Sequence, residues 1–285
     1  AIGPFKAIRA HHLGAPLVLL TTAPYVELAR ASGYFDEIWS DSRPGLLQLG
    51  AWLALRRRLN AAGFARVYDL QTSDRTGFYF RLMKPQPEWS GIARGCSHPH
   101  ANPDRDHMHT IERQAEQLRL AGIEHIPPAD LDWLGADTER FAISGPYAIL
   151  LPGGSAHRPA KRWPAERYAA LAGRLAAGGL QPLVLGGGDE IELTARVAGE
   201  AGLDLGGRTD LFDLVALCRG AELVIGNDSG PLHLAAITGR PTVVLFSAAS
   251  EPALCAPRGQ AVSIVRRPNL RDLGVEEVLA ATGLN

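Results

Sequence analysis

The sequence predicts an α/β fold built from two doubly wound, Rossmann-like domains in series. Short aliphatic or β-branched runs alternate with amphipathic helical patterns along the chain, which is typical of parallel sheets covered on both faces. The chain has 285 residues, more than one domain of roughly 100–200 residues holds. An irregular, proline-containing stretch, Ile126–Pro146, separates the two halves of the alternation. We therefore expect domains over residues 1–140 and 141–285.

The first half opens with a helical pattern over Gly3–Arg9, whereas an α/β domain normally opens with a buried strand. We therefore expect a strand and its loop, about 10 residues long, to precede Ala1. Strands are predicted at Leu17–Thr21, Glu37–Trp39, Arg66–Leu70 and Glu88–Ile92. Helices are predicted at Tyr25–Ala31, Leu46–Ala62, Thr76–Met83 and His109–Ala121. Gly122 is expected to cap the last of these.

The second half repeats the alternation more regularly. Its predicted strands are Tyr147–Leu151, Pro182–Leu185, Leu223–Ile225 and Thr242–Phe246. Its predicted helices are Ala165–Ala177, Glu190–Ala201, Leu211–Cys218, Ser229–Thr238 and Val275–Ala281. Both halves therefore predict the doubly wound layout, in which ligands bind at the carboxyl ends of the strands.

Composition excludes several classes of function. The formal net charge is −1, so nothing attracts nucleic acid in general, and we expect no nucleic-acid partner. The three cysteines, Cys96, Cys218 and Cys255, are too few and too scattered for a disulfide framework and indicate reduced thiols in a cytosolic protein. No run of 18 apolar residues occurs, so no transmembrane segment is predicted.

The strongest chemical signal is the segment Gly226–Pro241, GNDSGPLHLAAITGRP, which follows a buried strand. Asp228 is a suitable helix N-cap. The amides of Ser229 and Gly230, at the positive end of the following helix, form an anion site that would suit a diphosphate. His233 lies four residues after Ser229, so both side chains can face one ligand.

A second segment, Leu151–Trp163, LPGGSAHRPAKRW, also follows a predicted strand. Gly154 and Ser155 expose amides and a hydroxyl at the carboxyl end of that strand, and Lys161 adds a point charge suited to phosphate. A third segment, GGGDE over Gly186–Glu190, lacks the third glycine of the dinucleotide fingerprint. Glu190 could accept hydrogen bonds from both ribose hydroxyls of a nucleoside, and Asp189 competes for that role.

These segments, in this order, resemble glycosyltransferase family 9, the family of ADP-heptose:lipopolysaccharide heptosyltransferases. The stretch GGRTDLFDL over Gly206–Leu214 is also similar to the family's approach to its signature strand. The resemblance covers the C-terminal half and is weaker in the N-terminal half. It implies a GT-B fold with two Rossmann-like domains facing a cleft, an acceptor-binding domain over 1–140 and a nucleotide-sugar-binding domain over 141–285.

The resemblance implies a metal-independent, inverting transferase that moves heptose from ADP-heptose to a lipopolysaccharide core or a related envelope glycan, with no cofactor. Donor contacts are implied for Gly154, Ser155, Lys161, Glu190, Asp228, Ser229, Gly230 and His233. Lys161 would also stabilise the leaving diphosphate. The catalytic Asp of the family is expected upstream of Ala1. The glycolipid acceptor implies a cytoplasmic protein, peripheral on the inner face of the membrane.

Other interpretations stay open at this point. Without a catalytic Asp, the chain would be a non-catalytic nucleotide-sugar-binding protein; a nucleotide-sugar epimerase shares the layout. The pairs Asp104-x-Asp106 and Asp130-x-Asp132 are interpreted as solvated acids. Cys96, His98, His100, His107 and His109 crowd one predicted loop, but their spacing fits no standard zinc site, so we expect no metal there. Some of these histidines could face the acceptor.

Overall fold

The computed structural model describes residues 1–155 and 157–283. The chain forms two compact units, Ala1–Ala129 and Asp130–Asn285. The division lies inside the irregular stretch Ile126–Pro146, and residues 130–140 belong to the second unit. No helix in the described ranges combines the length and the apolar character needed to cross a membrane.

The first unit contains five strands and five α-helices within the described residues. The strands are β1 (Val18–Thr21), β2 (Glu37–Ser40), β3 (Arg66–Tyr68), β4 (Glu88–Gly91) and β5 (His98–Pro99). The helices are α1 (Ile2–His11), α2 (Val26–Ala31), α3 (Leu49–Ala61), α4 (Asp74–Leu82) and α5 (Thr110–Leu120). Each strand and helix predicted for this half is present, with ends shifted by a few residues. The loop predicted around Cys96, His98, His100 and His107 contains β5 in addition.

The strands of the first unit form two separate parallel sheets, β1–β2 and β3–β4–β5. Apolar side chains of β2, β4, α3 and α4 pack around Trp39, Trp89 and Phe80. A smaller cluster joins α1 and α5 through Ile8 and Leu118. Gly122, predicted as a helix cap, has a φ of 89° just beyond the end of α5, which confirms the left-handed C-terminal turn. The strand expected before Ala1 stays a prediction.

Within its described residues, the second unit contains one six-stranded sheet. Its strands are β6 (Tyr147–Leu151), β7 (Gln181–Val184), β8 (Leu203–Asp204), β9 (Leu223–Asn227), β10 (Thr242–Phe246) and β11 (Val262–Arg266). Its helices are α6 (Ala165–Ala177), α7 (Ile191–Ala198), α8 (Leu211–Gly220), α9 (Gly230–Ile237), α10 (Pro252–Cys255) and α11 (Val275–Thr282). The strands β8 and β11 and the short helix α10 were not predicted; the other elements were.

The sheet order is β11-β10-β9-β6-β7-β8, and every pairing is parallel. This is the strand order of a dinucleotide-binding Rossmann domain. The central strands β9 and β10 are buried along their whole length, which explains their continuous apolar runs. Trp163 and Tyr168 form the centre of the core between the sheet and α6. The predicted α/β class is confirmed.

Candidate functional site

The candidate site lies where β6 and β9 end, side by side at the centre of the sheet of the second unit. The chain continues from β6 to β7 on one side of this pair and from β9 to β10 on the other. The connections therefore leave in opposite directions and open a crevice at the carboxyl ends of the two strands, which is where α/β sheets bind ligands. Both sequence segments with the strongest chemical signal start here.

The glycine-rich loop after β6 is held by the carboxylate of Glu190. The Gly154 amide donates to Oε1 of Glu190 at 2.8 Å, and the Gly187 amide donates to Oε2 at 3.1 Å. A Cβ at Gly153 would lie 2.2 Å from both carboxylate oxygens, and Gly154 has a φ of 150°. A side chain at Gly153 would therefore displace the Glu190 carboxylate from these contacts, and the φ of Gly154 favours glycine.

Glu190, interpreted from the sequence as a ribose ligand, thus has a structural contact on each oxygen. An Arg162 guanidinium nitrogen lies 3.5 Å from Oε1 and balances the negative charge. Two oxygens offer about four acceptor positions, so the carboxylate keeps room for further hydrogen bonds. It precedes α7 directly, which begins at Ile191 instead of at Glu190 as predicted.

Asn227, the last residue of β9, ties the two segments together, and the sequence analysis missed it. Its Nδ2 donates to the carbonyl oxygens of Pro152 at 2.8 Å and Gly153 at 3.0 Å. Its Oδ1 accepts from the backbone N–H of Trp163 at 3.0 Å and from the Tyr168 hydroxyl at 3.1 Å. A buried polar side chain with four partners fixes its surroundings in one arrangement. The glycine-rich loop is therefore locked to the end of β9.

Lys161 and Asp228 form a buried ion pair at the mouth of this site. Lys161 Nζ lies 2.6 Å from Asp228 Oδ2, and the two side chains are 13% and 6% exposed. The Ser250 hydroxyl donates to the same oxygen at 2.7 Å. Ser250 follows β10, the neighbour of β9, so sheet topology is the signal that could have found it. Burial raises the pKa of the nearby Cys255 thiol, with a smaller contribution from the Asp228 charge.

The prediction that Asp228 caps the following helix is wrong. The N-cap of α9 is Ser229, whose side chain makes no capping hydrogen bond. The Asp228 N–H still donates to the Leu245 carbonyl of β10, so the residue extends the strand and its carboxylate points to Lys161. A charged partner competes more strongly for a carboxylate than a backbone amide does.

The amides of Ser229 and Gly230 form the open part of the site. Within residues 1–155 and 157–283, the structure shows no acceptor for either N–H group, and Pro231 contributes no N–H at all. Gly230 is exposed and Ser229 is half-buried. These donors stand at the positive end of α9, in the arrangement that the sequence predicts for an anion site, and binding of an anion there stays a prediction.

The remaining predicted donor contacts lie at the edges of this group. Ser155 is exposed on the glycine-rich loop, and His233 is half-buried in α9, one turn after Ser229. The structure therefore places Gly154 in contact with Glu190, and Lys161 in contact with Asp228. Ser229, Gly230 and His233 follow Asp228 in the sequence, at the N-cap and in the first turns of α9.

The histidine-rich segment of the first unit is split among separate environments. His100 is buried, and burial lowers its pKa, although Glu116 lies 3.6 Å away. His109 is the buried N-cap of α5 and accepts from the Ile111 amide, while His98 lies 3.9 Å from Glu88. Nowhere among the described residues do three or more His, Cys, Asp or Glu side chains converge as they would around a metal ion.

A buried acid, Asp69, stands at the carboxyl end of β3 and was not singled out from the sequence. Its Oδ1 accepts from the Gln71 and Thr72 amides at 3.2 and 2.9 Å. Burial raises the pKa of this carboxyl. The amide of Gln117 donates to the Asp69 carbonyl at 2.9 Å, so α5 is anchored to the end of β3 through buried polar contacts.

Comparison with known proteins identifies the family. Residues 52–276 match the model of glycosyltransferase family 9 (heptosyltransferase). Lipopolysaccharide heptosyltransferase 2 of Escherichia coli (strain K12) is 33% identical over 136 residues, which are 45% of this chain and 38% of that protein. Lipooligosaccharide heptosyltransferase 2 of Haemophilus influenzae is 33% identical over 120 residues, 40% of this chain and 34% of that one. The matched part thus spans less than two fifths of these relatives.

The fold is shared over a greater length. The solved E. coli ADP-heptose LPS heptosyltransferase II superimposes with a TM-score of 0.78 and 20% identity, covering 98% of this chain and 92% of that one. The glycosyl transferase family 9 structure from Veillonella parvula gives a TM-score of 0.81 at 20% identity, covering 98% and 90%. The predicted GT-B fold class is thereby confirmed. With its family model matched over most of its length, the chain belongs to glycosyltransferase family 9.

Proposed function

We propose that this chain transfers heptose from ADP-heptose to the core of lipopolysaccharide or a related envelope glycan, with inversion at the anomeric carbon and without a metal ion. Family membership supports sugar transfer, and the names of the relatives support heptose and lipopolysaccharide. The observation that carries the proposal is the set of open amides at Ser229 and Gly230 beside the Lys161 ammonium. Backbone N–H groups at a helix start, next to a fixed cation, suit a diphosphate.

In the proposed complex, the diphosphate lies against the Ser229 and Gly230 amides, and the Lys161 ammonium contacts one of its oxygens. The nucleoside extends toward β7, where Glu190 accepts hydrogen bonds from the ribose hydroxyls through its unused acceptor positions. Gly154 and Ser155 line the path between these two parts. His233, one turn into α9, contacts the sugar side of the donor.

The proposed reaction is a single displacement. An acceptor hydroxyl oxygen forms a bond to the anomeric carbon while the bond from that carbon to the diphosphate oxygen breaks. The electron pair of the broken bond leaves with ADP, and the hydroxyl proton passes to a base. Attack opposite the leaving group inverts the anomeric configuration.

The charge that develops on ADP is stabilised by groups that are already in place. Asp228 holds the Lys161 ammonium at 2.6 Å, and the Ser250 hydroxyl donates to the same Asp228 oxygen at 2.7 Å, so Lys161 needs little reorganisation as the diphosphate leaves. Asp228 is a positioning residue in this scheme, because it acts through Lys161. These cationic and amide donors take the part that a divalent cation plays in metal-dependent transferases.

We assign acceptor binding to the domain predicted at 1–140 and donor binding to that predicted at 141–285, with the enzyme peripheral on the inner face of the cytoplasmic membrane. No cofactor takes part in this scheme.

A donor screen tests the proposal. Calorimetric titrations with ADP-heptose, ADP, GDP and UDP are expected to show binding of the adenine nucleotides and much weaker binding of the others. Lys161→Met is expected to weaken ADP binding, whereas Lys84→Met, at an exposed lysine of the first unit, leaves it unchanged. A protein that binds ADP-heptose but releases no ADP with a lipopolysaccharide acceptor would be a non-catalytic binder. Interconversion of free nucleotide sugars would indicate an epimerase.

A further inference from the structure

The first unit carries leucines that its core does not use. Leu46, Leu47, Leu49 and Leu53 are 91%, 95%, 71% and 52% exposed. They follow one another within a turn and the first two turns of α3, and we call them the apolar surface. Exposed apolar side chains are normal singly, but a contiguous group marks a place where something binds.

The apolar surface is a fixed feature of the fold. Leu46 and Leu47 form a turn whose ends are tied at Gly45, since its carbonyl accepts from the Gln48 amide and from Trp52 Nε1, both at 3.0 Å. The Gly45 amide in turn donates to Gln48 Oε1 at 2.8 Å. The two most exposed leucines therefore stand on a turn that three hydrogen bonds hold in place.

The helix itself has two apolar faces, of which the core covers one. Trp52, Leu55 and Leu59 pack into the unit. Leu49 and Leu53 are spaced four residues apart and lie on a different, exposed face, which Arg57 continues one turn later. A surface helix of an isolated soluble protein would carry polar residues at these positions. The exposed leucines therefore indicate a binding partner with an apolar surface.

The charges around the apolar surface indicate the chemistry of that partner. Residues 42–65 contain Arg43, Arg56, Arg57 and Arg58 and no Asp or Glu, although the whole chain has a net charge of −1. All four arginines are exposed, and none forms an ion pair with a carboxylate among the described residues. The Arg58 guanidinium lies over the Trp39 ring, 4.0 Å from its centroid, so Arg43, Arg56 and Arg57 are the ones left to meet a partner. Leucines flanked by long arginine side chains suit a partner with an apolar interior and an anionic surface.

We infer that the turn at Leu46–Leu47 and the exposed face of α3 dock on the surface of an anionic lipid bilayer. The leucines enter the boundary between headgroups and acyl chains, and the arginines contact anionic headgroups, as in other interfacial helices. This inference deepens the proposed location at the membrane, but it rests on the first unit alone and needs neither donor nor transfer activity.

Vesicle flotation of the full chain tests this inference. Vesicles of phosphatidylcholine and phosphatidylglycerol in equal parts are expected to bind the protein at least tenfold better than phosphatidylcholine alone. The double variant Leu46→Ser/Leu47→Ser is expected to lose at least tenfold in partition coefficient. Arg56→Gln/Arg57→Gln is expected to lose the preference for anionic lipid. Each arginine removed should lower the partition coefficient on the anionic vesicles by about fivefold.

Leu13→Ser is the matched control, because Leu13 is 84% exposed in the same unit but belongs to the connection between α1 and β1; it is expected to bind like the wild type. Circular dichroism checks that each variant is folded. Equal flotation of the Leu46→Ser/Leu47→Ser variant and the wild type would overturn the inference. A second outcome would also overturn it: the wild type forms a dimer in analytical ultracentrifugation, the Leu46→Ser/Leu47→Ser variant is a monomer, and vesicles bind neither protein. Transfer assays with a soluble acceptor remain a separate test of the proposed function.

Discussion

Replacing Lys161 with methionine is expected to destabilise the second unit and to weaken binding of ADP. The change removes the ammonium but keeps an unbranched chain of similar length, so packing is largely preserved. The Asp228 carboxylate, only 6% exposed, then loses its partner at 2.6 Å. The same substitution removes the cation proposed to meet the diphosphate. One variant thus tests both the fold and the site.

The burial of the pair sets the magnitude. Exposed ion pairs contribute about 0–1 kcal/mol, whereas removing one partner of a buried pair costs about 3–5 kcal/mol. Ser250 and the positive end of α9 still stabilise the Asp228 carboxylate, so we expect about 3 kcal/mol for Lys161→Met. Asp228→Asn should cost less, about 1–2 kcal/mol, because the flexible lysine can turn toward water. Loss of the charge-assisted phosphate contact should weaken ADP binding by about 1–3 kcal/mol.

Urea unfolding of the wild type, both single variants and the double variant gives the coupling energy of the pair. A coupling below about 0.5 kcal/mol would refute the conclusion that the two charges are buried together, because independent sites add within that margin. Calorimetry with ADP gives the second quantity. Unchanged affinity in Lys161→Met would remove Lys161 from the donor site even if the stability result holds.

Three further predictions concern neighbouring features. Asn227→Ala should lower the free energy of unfolding by about 3 kcal/mol and weaken ADP binding, because four buried partners lose their hydrogen bonds; urea unfolding and calorimetry measure the two effects. Gly153→Ala should cost about 1–3 kcal/mol in urea unfolding, since its methyl group would meet the carboxylate of Glu190. Burial lowers the pKa of His100 in the folded state, so below pH 6.5 the unfolded chain takes up a proton that the folded chain refuses. Stability of the wild type should therefore fall with pH from 6.5 downward, and His100→Gln should flatten that slope in urea titrations.

Each of these has a matched control. Gly188→Ala adds a methyl group where nothing lies within 4 Å and should be tolerated, so equal losses at Gly153 and Gly188 would contradict the close-approach argument. His107 is exposed, and His107→Gln should keep the pH slope of the wild type. For Asn227, the conservative change to Asp keeps Oδ1 and removes the amide donor; a variant as stable as the wild type would show that the tie to the glycine-rich loop is unimportant.

Much of the fold was predictable because burial on both faces leaves a strong pattern. The continuous apolar runs of β9 and β10 identify central strands of a parallel sheet. In contrast, β8 has two residues, and β11 is an edge strand with exposed side chains at Ser263 and Ile264. Neither carries a long apolar run, so their sequences do not distinguish them from loops. Their places follow only from pairing with β7 and β10, which a linear pattern does not encode.

The candidate site was predictable in its backbone and less so in its side chains. A strand followed by Ser-Gly-Pro and a helix determines where the free amides lie, and the structure places Ser229 and Gly230 accordingly. The partners of Asp228 depend on side-chain direction and on strand order. Its carboxylate could cap α9 or pair with Lys161. It pairs with Lys161, because a largely buried ammonium needs a charged partner.

The charges of the site have protein partners before any ligand arrives. Glu190 is held by two amides and Arg162, and Lys161 is held by Asp228, whose carboxylate also accepts from Ser250. A nucleotide sugar that binds here meets side chains that are already ordered. Little conformational entropy is then lost when these groups stabilise the departing diphosphate. The two open amides at the start of α9 are the exception, since no protein group among the described residues accepts from them. Because the unpaired donors are N–H groups at the positive end of a helix, we expect the affinity of the site to increase with the negative charge of the ligand. Adenosine should therefore bind far more weakly than ADP, and equal calorimetric affinities for the two would contradict the assignment of Ser229 and Gly230 to the diphosphate.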